Sequence, residues 1–433
     1  MSPFTSMSQM IEAPIEEELL SDSRLQRFHP TRPGQLLDGR FETIAKLGFG
    51  TGSTVWLARN LQYTEGEPSL PRYVTVKIGT LDAETLQERE YSELIANANP
   101  SHEGLSFIRT PLDDFSLEGP RGTHSCLVYE TMRETLSRFQ RRWPGQRLPA
   151  PIFKLYAYSL LQALDYLHTE CHLIHTDIKD DNIMVTIEHD SVLSDFASAQ
   201  EKISHPRHIR KEDGRITFAS QDDFGPLRGS RLLPELGDFN LAFPGLSGGM
   251  GHLSPIQSHR YRAPEVLLGL PWSYSADIWN LGLLLWNLLE DLSLFGQPAG
   301  EDGEYDPHVH LAKMISLLGY PPNDLITREK LYRHHKLSTP MINPRGKECT
   351  NMNEFWGGPF FDANNQIIRR DLLGEEKVLA DTVTQFVGIE KDLFLDLAGS
   401  MIQWMPEKRK TAKDLLKHPF FDSFYKDRAR AMR

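Results

Sequence analysis

His175-Thr176-Asp177-Ile178-Lys179-Asp180-Asp181-Asn182 is the stretch on which the reading of this chain turns. An aspartate, a lysine two residues on and an asparagine five residues on match the needs of phosphoryl transfer to a hydroxyl. Asp177 would accept the hydroxyl proton, Lys179 would neutralise the moving phosphoryl group, and Asn182 would hold a magnesium ion. Such a loop predicts its own context. A glycine-rich phosphate loop and a strand lysine are expected upstream, and a second metal-binding aspartate and an Ala-Pro-Glu anchor downstream. All four occur, in that order.

Upstream, Leu47-Gly48-Phe49-Gly50-Thr51-Gly52-Ser53-Thr54-Val55 lies between two strand-like runs, Phe41–Leu47 and Thr54–Ala58. Glycines let backbone N–H groups approach ATP phosphates. No helix follows, which argues against a dinucleotide-binding turn. Leu47, Gly48, Gly50, Ser53 and Val55 are the candidate nucleotide contacts, with Ser53 where a third glycine is usual and Val55 as a roof over adenine. Tyr73–Ile78 reads as a third strand. Its Lys77 is the candidate for the α- and β-phosphates, and Thr75 stands where a small alanine is usual. Residues 82 to 96 look helical. Glu90 is expected to pair with Lys77, because Leu94 four residues on can pack inward on the same face; Glu88 is the runner-up. Cys126–Glu130 reads as a buried strand. Beyond it, Glu130 and Met132 would bond the adenine edge through their backbone, Tyr129 would restrict the back of the pocket, and Met184 would line it.

Downstream, Phe153, Ala157, Leu160, Leu161, Leu164 and Leu167 mark one face of a helix leading to His175. Ile278–Leu289 is nearly all apolar, as a central buried helix would be. In Tyr261-Arg262-Ala263-Pro264-Glu265, Glu265 is expected to form a buried ion pair with Arg409. Asp277 should brace the catalytic loop backbone. His175 reads as a packing residue. Residues 200 to 260, rich in Gly, Pro, Ser and charge, read as a long loop region. The second metal ligand has two candidates. Asp195-Phe196-Ala197 follows Asn182 by 13 residues, whereas Asp238-Phe239-Asn240 follows it by 56 and implies an insertion. From Asp238 to Glu265 is 27 residues, a normal segment; from Asp195 it is 70.

Composition narrows the class. The 433 residues suit a two-lobed enzyme, and 39% hydrophobic with 24% charged residues is ordinary for a globular chain. The net charge of −12 argues against nucleic acid or an anionic membrane as partner. Cys126, Cys171 and Cys349 show no paired spacing, so a reducing compartment and no disulfide framework are expected. No apolar run is long enough to span a bilayer. The start resembles neither a signal peptide nor a mitochondrial leader, since residues 11 to 23 carry five acids and no base. Cytoplasm, nucleus or both are the expected locations, with a monomer as the expected state.

Together, His-Thr-Asp-Ile-Lys, Ser-Thr-Val-Trp-Leu-Ala after the glycine loop, and Tyr-Arg-Ala-Pro-Glu-Val-Leu-Leu-Gly resemble the SR-protein kinase family, closest to a compact fungal-type branch, over roughly residues 20 to 425. The resemblance implies an α+β, bilobal protein kinase fold with a small β-rich lobe and a larger helical one. It implies ATP and Mg2+ as cofactors, and transfer of the γ-phosphoryl group to Ser or Thr of Arg/Ser-rich or basic protein segments. It also favours Asp238, because the family carries an insertion at that point. Residues 1–36 would be a loosely packed tail, 37–132 the first lobe and hinge, and 133–425 the second lobe, with an insert at about 187–231. Glu290, Asp291, Glu301, Asp302, Glu304 and Asp306, in a stretch without Lys or Arg, would dock basic peptides, or be a solvated acidic loop. Thr176, in place of the usual arginine, suggests activity without activation-loop phosphorylation, and Lys179 favours Ser/Thr over Tyr. The departures are Thr75, Asp180 where the family has proline, and Asn240. They leave two other readings: a pseudokinase that binds without turnover, and a proline-directed kinase.

Overall fold

The computed structural model describes residues 10–66, 70–81, 85–246 and 251–422, the side chains of 85–87 excepted. The first nine residues of the expected tail, the first three of the expected helix 82–96 and the last three of the expected second lobe lie outside them. The chain divides into two compact units. One runs to Ala96 and adds Arg109–Glu134 and Met184–Asn240; the other takes Asn97–Ile108, Thr135–Ile183 and everything from Leu241.

The first unit is built on a six-stranded antiparallel sheet: β1 Leu36–Leu37, β2 Phe41–Phe49, β3 Ser53–Asn60, β4 Tyr73–Gly79, β5 Asp113–Gly119 and β6 Gly122–Glu130. The strand order is β1-β2-β3-β4-β6-β5. Side chains alternate between its faces. Leu37, Phe41, Trp56, Val74, Val76, Ile78, Phe115, Cys126 and Val128 form the core on one face. Ile44, Ala45, Leu57 and Tyr73 face the other way. There they meet Val192, Phe196 and Ala197 of the helix Asp190–Gln200, together with Phe224.

Three expectations need correction here. The helix Asp190–Gln200 belongs to the supposed insert of the second lobe, yet the segment Met184–Asn240 packs as part of the first unit. Its apolar residues complete a sheet face that would otherwise stand open to water. The region 200–260 is not one long loop: Arg207–Ile209 and Ile216–Phe218 pair as a hairpin, and Pro234–Leu236 is a strand. Nor is the described part of the tail loose. It holds a turn at Glu16–Leu19 and another at Asp22–Leu25, with Glu17, Leu25 and Phe28 buried. Local polarity hid this, because the turn is held by ion pairs rather than by apolar periodicity.

The second unit is mostly helical. Ala150–Thr169 buries Phe153, Tyr156, Ala157, Leu160, Leu161, Leu164 and Leu167. Ser275–Glu290 buries every residue except Ser275 and Asn287. Phe153, Phe386, Phe394 and Phe420 pack edge-on or tilted, with ring centres 5.7 to 6.4 Å apart. The turn Glu103–Phe107 lies so close to Ala150–Thr169 that a Cβ at Gly104 would stand 2.1 Å from the Gln162 carbonyl oxygen. All three cysteines are free and buried, and burial pushes the Cys126 thiol up to about 12 and that of Cys171 to about 11. Among the described residues no helix is long and apolar enough to cross a membrane.

Candidate active-site residues

In the first unit, β2 and β3 hold the glycine-rich segment at their turn. Gly50 N–H donates to the Ser53 carbonyl at 2.9 Å. A Cβ on Gly48, Gly50 or Gly52 would meet nothing within 4 Å, so these positions border open space of the kind a phosphate needs. Leu47 and Val55 are half-buried, and Val55 stands opposite Lys77 in the ladder. Lys77 Nζ lies 2.7 and 2.8 Å from the two carboxylate oxygens of Glu88. Glu88 is buried and also accepts the Tyr129 hydroxyl proton at 2.9 Å. Burial, with Glu88 adding to it, holds the Tyr129 phenol well above its ordinary range, so it stays a donor.

The expected partner Glu90 is therefore corrected to Glu88. Glu90 is exposed, as is Leu94, whose inward packing was the ground for choosing Glu90. The buried face of the helix Thr85–Ala98 carries Glu88, Ser92 and Ile95 instead. Ile95, seven residues after Glu88, was the apolar signal on the correct face. Ser92 Oγ closes that face by donating to the Glu88 carbonyl at 2.6 Å.

At the end of β6, Glu130 is exposed and Met132 buried. Thr75 Oγ1 bonds Thr131 Oγ1 at 3.2 Å, which gives the unusual threonine a structural partner. Met184, half-buried, lies in the strand Ile183–Thr186 beside Pro234–Leu236. In that second strand Glu235 has a carboxyl pushed up to about 7, by burial first and by Glu130 next. Asp238 follows, exposed, in the left-handed conformation at φ 65°, with Oδ1 accepting from Asn240 Nδ2 at 2.9 Å. The left-handed residue of this turn is Asp238 rather than Asn240. Asp195 lies within a regular helix, exposed and 2.5 Å from Arg228 Nη1, while Phe196 is buried against Phe224 with ring centres 4.6 Å apart. Phe196 thus serves packing, while Asp195 is engaged at the surface by Arg228.

The second unit holds the loop His175–Asn182. Asp277, fully buried at the start of the central helix, accepts the backbone N–H of His175 and of Thr176, both at 2.8 Å. Thr176 sits at φ 71° and its hydroxyl donates to the Leu241 carbonyl at 2.6 Å. This clamp fixes a strained turn in front of Asp177. Lys179 Nζ lies 2.5 Å from Asp177 Oδ2. Asn182 Nδ2 donates to the Asp177 carbonyl at 2.9 Å and to its Oδ2 at 3.1 Å. With its amino group so used, Asn182 presents its amide oxygen to any ligand. Asp238, exposed, offers carboxylate oxygen. Oxygen donors of this kind suit a hard divalent cation such as magnesium.

Around this loop, Glu265 and Arg409 form a two-pronged ion pair at 2.7 and 2.7 Å, both side chains buried. The departure Asp180 is buried, 3.2 Å from Arg260 and 3.4 Å from the Tyr261 hydroxyl; burial raises its carboxyl pKa. Sequence reasoning marked Asp180 as anomalous without finding these partners, which lie about 80 residues away along the chain. In the acidic stretch, Glu290 is corrected from docking candidate to structural residue. It is buried and accepts from Thr384 N, Thr384 Oγ1 and Gln385 N at 2.6 to 2.8 Å. Asp306 caps the helix Pro307–Leu318, whereas Glu301, Asp302 and Glu304 are exposed.

Residues 41–220 and 232–421 match the family model of the protein kinase domain. A serine/threonine protein kinase of Aspergillus fumigatus is 31% identical over 97% of this chain and 94% of its own. The serine/threonine-protein kinase SRPK of Physarum polycephalum is 29% identical over 94% of this chain and 91% of its own. A solved crystal structure of a kinase domain superposes with a TM-score of 0.63 at 21% identity, covering 92% of this chain and 99% of the other, a likeness of fold.

Proposed function

The chain belongs to the protein kinase family, in its SR-protein kinase branch, and is a serine/threonine protein kinase; on that premise we propose which residues carry the reaction and what substrate they serve. Protein kinases transfer the γ-phosphoryl group of ATP with the help of magnesium. The observation that carries the residue assignment is the constellation on Asp177, with Lys179 and Asn182 both bonded to it and Asp277 bracing the backbone in front.

In this reading Asp177 orients the substrate hydroxyl and receives its proton. Lys179 offsets charge on the transferred group, and Asn182 and Asp238 supply oxygen to magnesium. Lys77, held by Glu88, meets the α- and β-phosphates. Backbone donors from Gly48 to Ser53 meet the phosphates, and Leu47, Val55, Met132, Met184 and the backbone of Glu130 frame the base. The protein's contribution is positioning and charge neutralisation rather than covalent chemistry. The two-pronged Glu265–Arg409 pair and the Asp277 clamp give this positioning its rigidity.

The substrate proposed is an Arg/Ser-rich protein segment, phosphorylated on serine. Its support is the branch of the family and the exposed acids Glu301, Asp302 and Glu304, which suit a basic peptide. A monomer acting in cytoplasm or nucleus is part of the same reading. A fold kept without turnover has no support, because every charged group the transfer needs is present. The test is phosphate transfer from Mg-ATP to an Arg/Ser peptide, wild type beside Asp177→Ala. The variant should lose turnover by orders of magnitude while Mg-ATP still raises its melting temperature. Near-normal turnover in the variant would remove the assignment of the whole loop.

A further inference from the structure

Lys46 takes no part in the chemistry above, yet its side chain is completely buried. It stands in β2, two residues before Gly48, where the β2–β3 ladder slips register between Lys46 and Gly48. Its ammonium meets Glu16 Oε2 at 2.6 Å and Glu17 Oε2 besides. The same ammonium lies 5.4 Å from the ring centre of Phe49, inside the glycine-rich segment. The Lys46 carbonyl accepts Gln221 N–H at 2.7 Å. A lysine buried to this degree is stable only when paired.

The acidic turn is fastened on its other side too. Glu16 accepts Ser220 N–H at 2.6 Å and Ser220 Oγ at 3.1 Å. Glu18 lies 2.5 Å from His208 Nδ1 and accepts Thr217 Oγ1 at 2.8 Å. Ile11 N–H donates to the Arg207 carbonyl at 2.8 Å. Glu16 itself holds φ 52°, a left-handed backbone that a glutamate adopts only under constraint. Three consecutive glutamates therefore tie the N-terminal segment both to the hairpin region 207–220 and to the base of the glycine-rich segment.

That base matters because the tip has little packing of its own. Phe49 is 42% exposed, and the three glycines border open space. We propose that Glu16, Glu17 and Lys46 are positioning residues: the acidic turn is a clip that fixes the base of the glycine-rich segment through the buried lysine and so sets the affinity for nucleotide. The proposal deepens the functional reading and rests on residues 47–55 receiving ATP.

The experiment uses the full chain with Glu16→Gln/Glu17→Gln, and Lys46→Arg as the conservative control. The readouts are Kd for Mg-trinitrophenyl-ATP, KM for ATP, KM for an Arg/Ser peptide, and kcat. Without the clip, Kd and KM for ATP should rise roughly tenfold, the change implied by ordering about one more backbone residue on binding. The peptide KM should hold, and kcat at saturating ATP should stay within about threefold. Lys46→Arg, which can still pair with both carboxylates, should bind nucleotide as the wild type does. A purely structural role would lower the melting temperature and leave Kd per folded molecule unchanged, and that result overturns the proposal. Should the double variant not fold, Glu17→Gln alone retains Glu16 and Ser220; a smaller rise in Kd supports the clip and an unchanged Kd removes it. Because Kd needs no turnover, a wild type that binds nucleotide but transfers no phosphate would sink the functional reading and still leave the clip measurable. A wild type that binds no nucleotide would sink both.

Discussion

Glu88 and Glu90 lie two residues apart, and only one of them can hold Lys77. Glu88 gives both oxygens to the ammonium, at 2.7 and 2.8 Å, and is 4% exposed. Glu88→Gln keeps an oxygen for the Tyr129 hydroxyl but removes the charge that balances Lys77. Charged hydrogen bonds are worth about 1.5–3 kcal/mol and a broken buried pair about 3–5 kcal/mol. The Lys77 side chain is 22% exposed, so water takes up part of the loss. A value of about 2–3 kcal/mol follows, equivalent to a fall of roughly 30- to 150-fold in kcat/KM for ATP. Glu90→Gln changes an exposed side chain and should stay within about 2.5-fold, the equivalent of ~0.5 kcal/mol. The assay is the initial rate against ATP concentration at saturating Arg/Ser peptide, with melting temperatures alongside to correct for folded fraction. If Lys77 and Glu88 act as a unit, Lys77→Met/Glu88→Gln should be little worse than Lys77→Met. A tenfold loss in Glu90→Gln with Glu88→Gln near wild type would refute the pairing.

Two further outcomes follow from the same strands and loops. Asp238→Ala should be inactive at saturating Mg-ATP. Asp195→Ala should be active and lose at most about 1 kcal/mol of stability, since it only opens an exposed ion pair with Arg228; the opposite pattern would move the metal ligand to Asp195. Glu235 has its carboxyl raised from 4.5 to about 7 by burial and by Glu130, so folding favours its neutral form. That stabilisation is complete below about 4.5 and fades as the pH climbs to about 7. Glu235→Gln should therefore melt like the wild type near pH 4.5 and above it at pH 8, the gap opening between; a gap that does not change with pH would show that Glu235 does not titrate in this window.

Features carried by a compact motif or by a long apolar period were legible without the structure. Asp177, Lys179 and Asn182 fall within six residues, so their grouping needs no tertiary information. The glycine hairpin, the strand of Lys77 and the helices Ala150–Thr169 and Ser275–Glu290 follow from alternation, glycine placement and apolar stripes. Glu265 with Arg409 was legible because each sits in a motif of its own, although 144 residues separate them. Tertiary structure decided what hangs on which face is covered. Glu88 displaced Glu90 because the inward face of a short polar helix is chosen by what packs on it, and Ser92 and Ile95 pack inward where Leu94 does not. Asp195-Phe196 was the less favoured of two metal-ligand candidates, and its phenylalanine packs on Phe224 against the open face of the sheet. The docking of the acidic turn on the hairpin Arg207–Phe218 and on β2 escaped because it rests on ion pairs and hydrogen bonds among Glu16, Glu17, Glu18, Lys46, His208 and Ser220. Such contacts leave no period in a sequence, since their partners are brought together only when the chain folds.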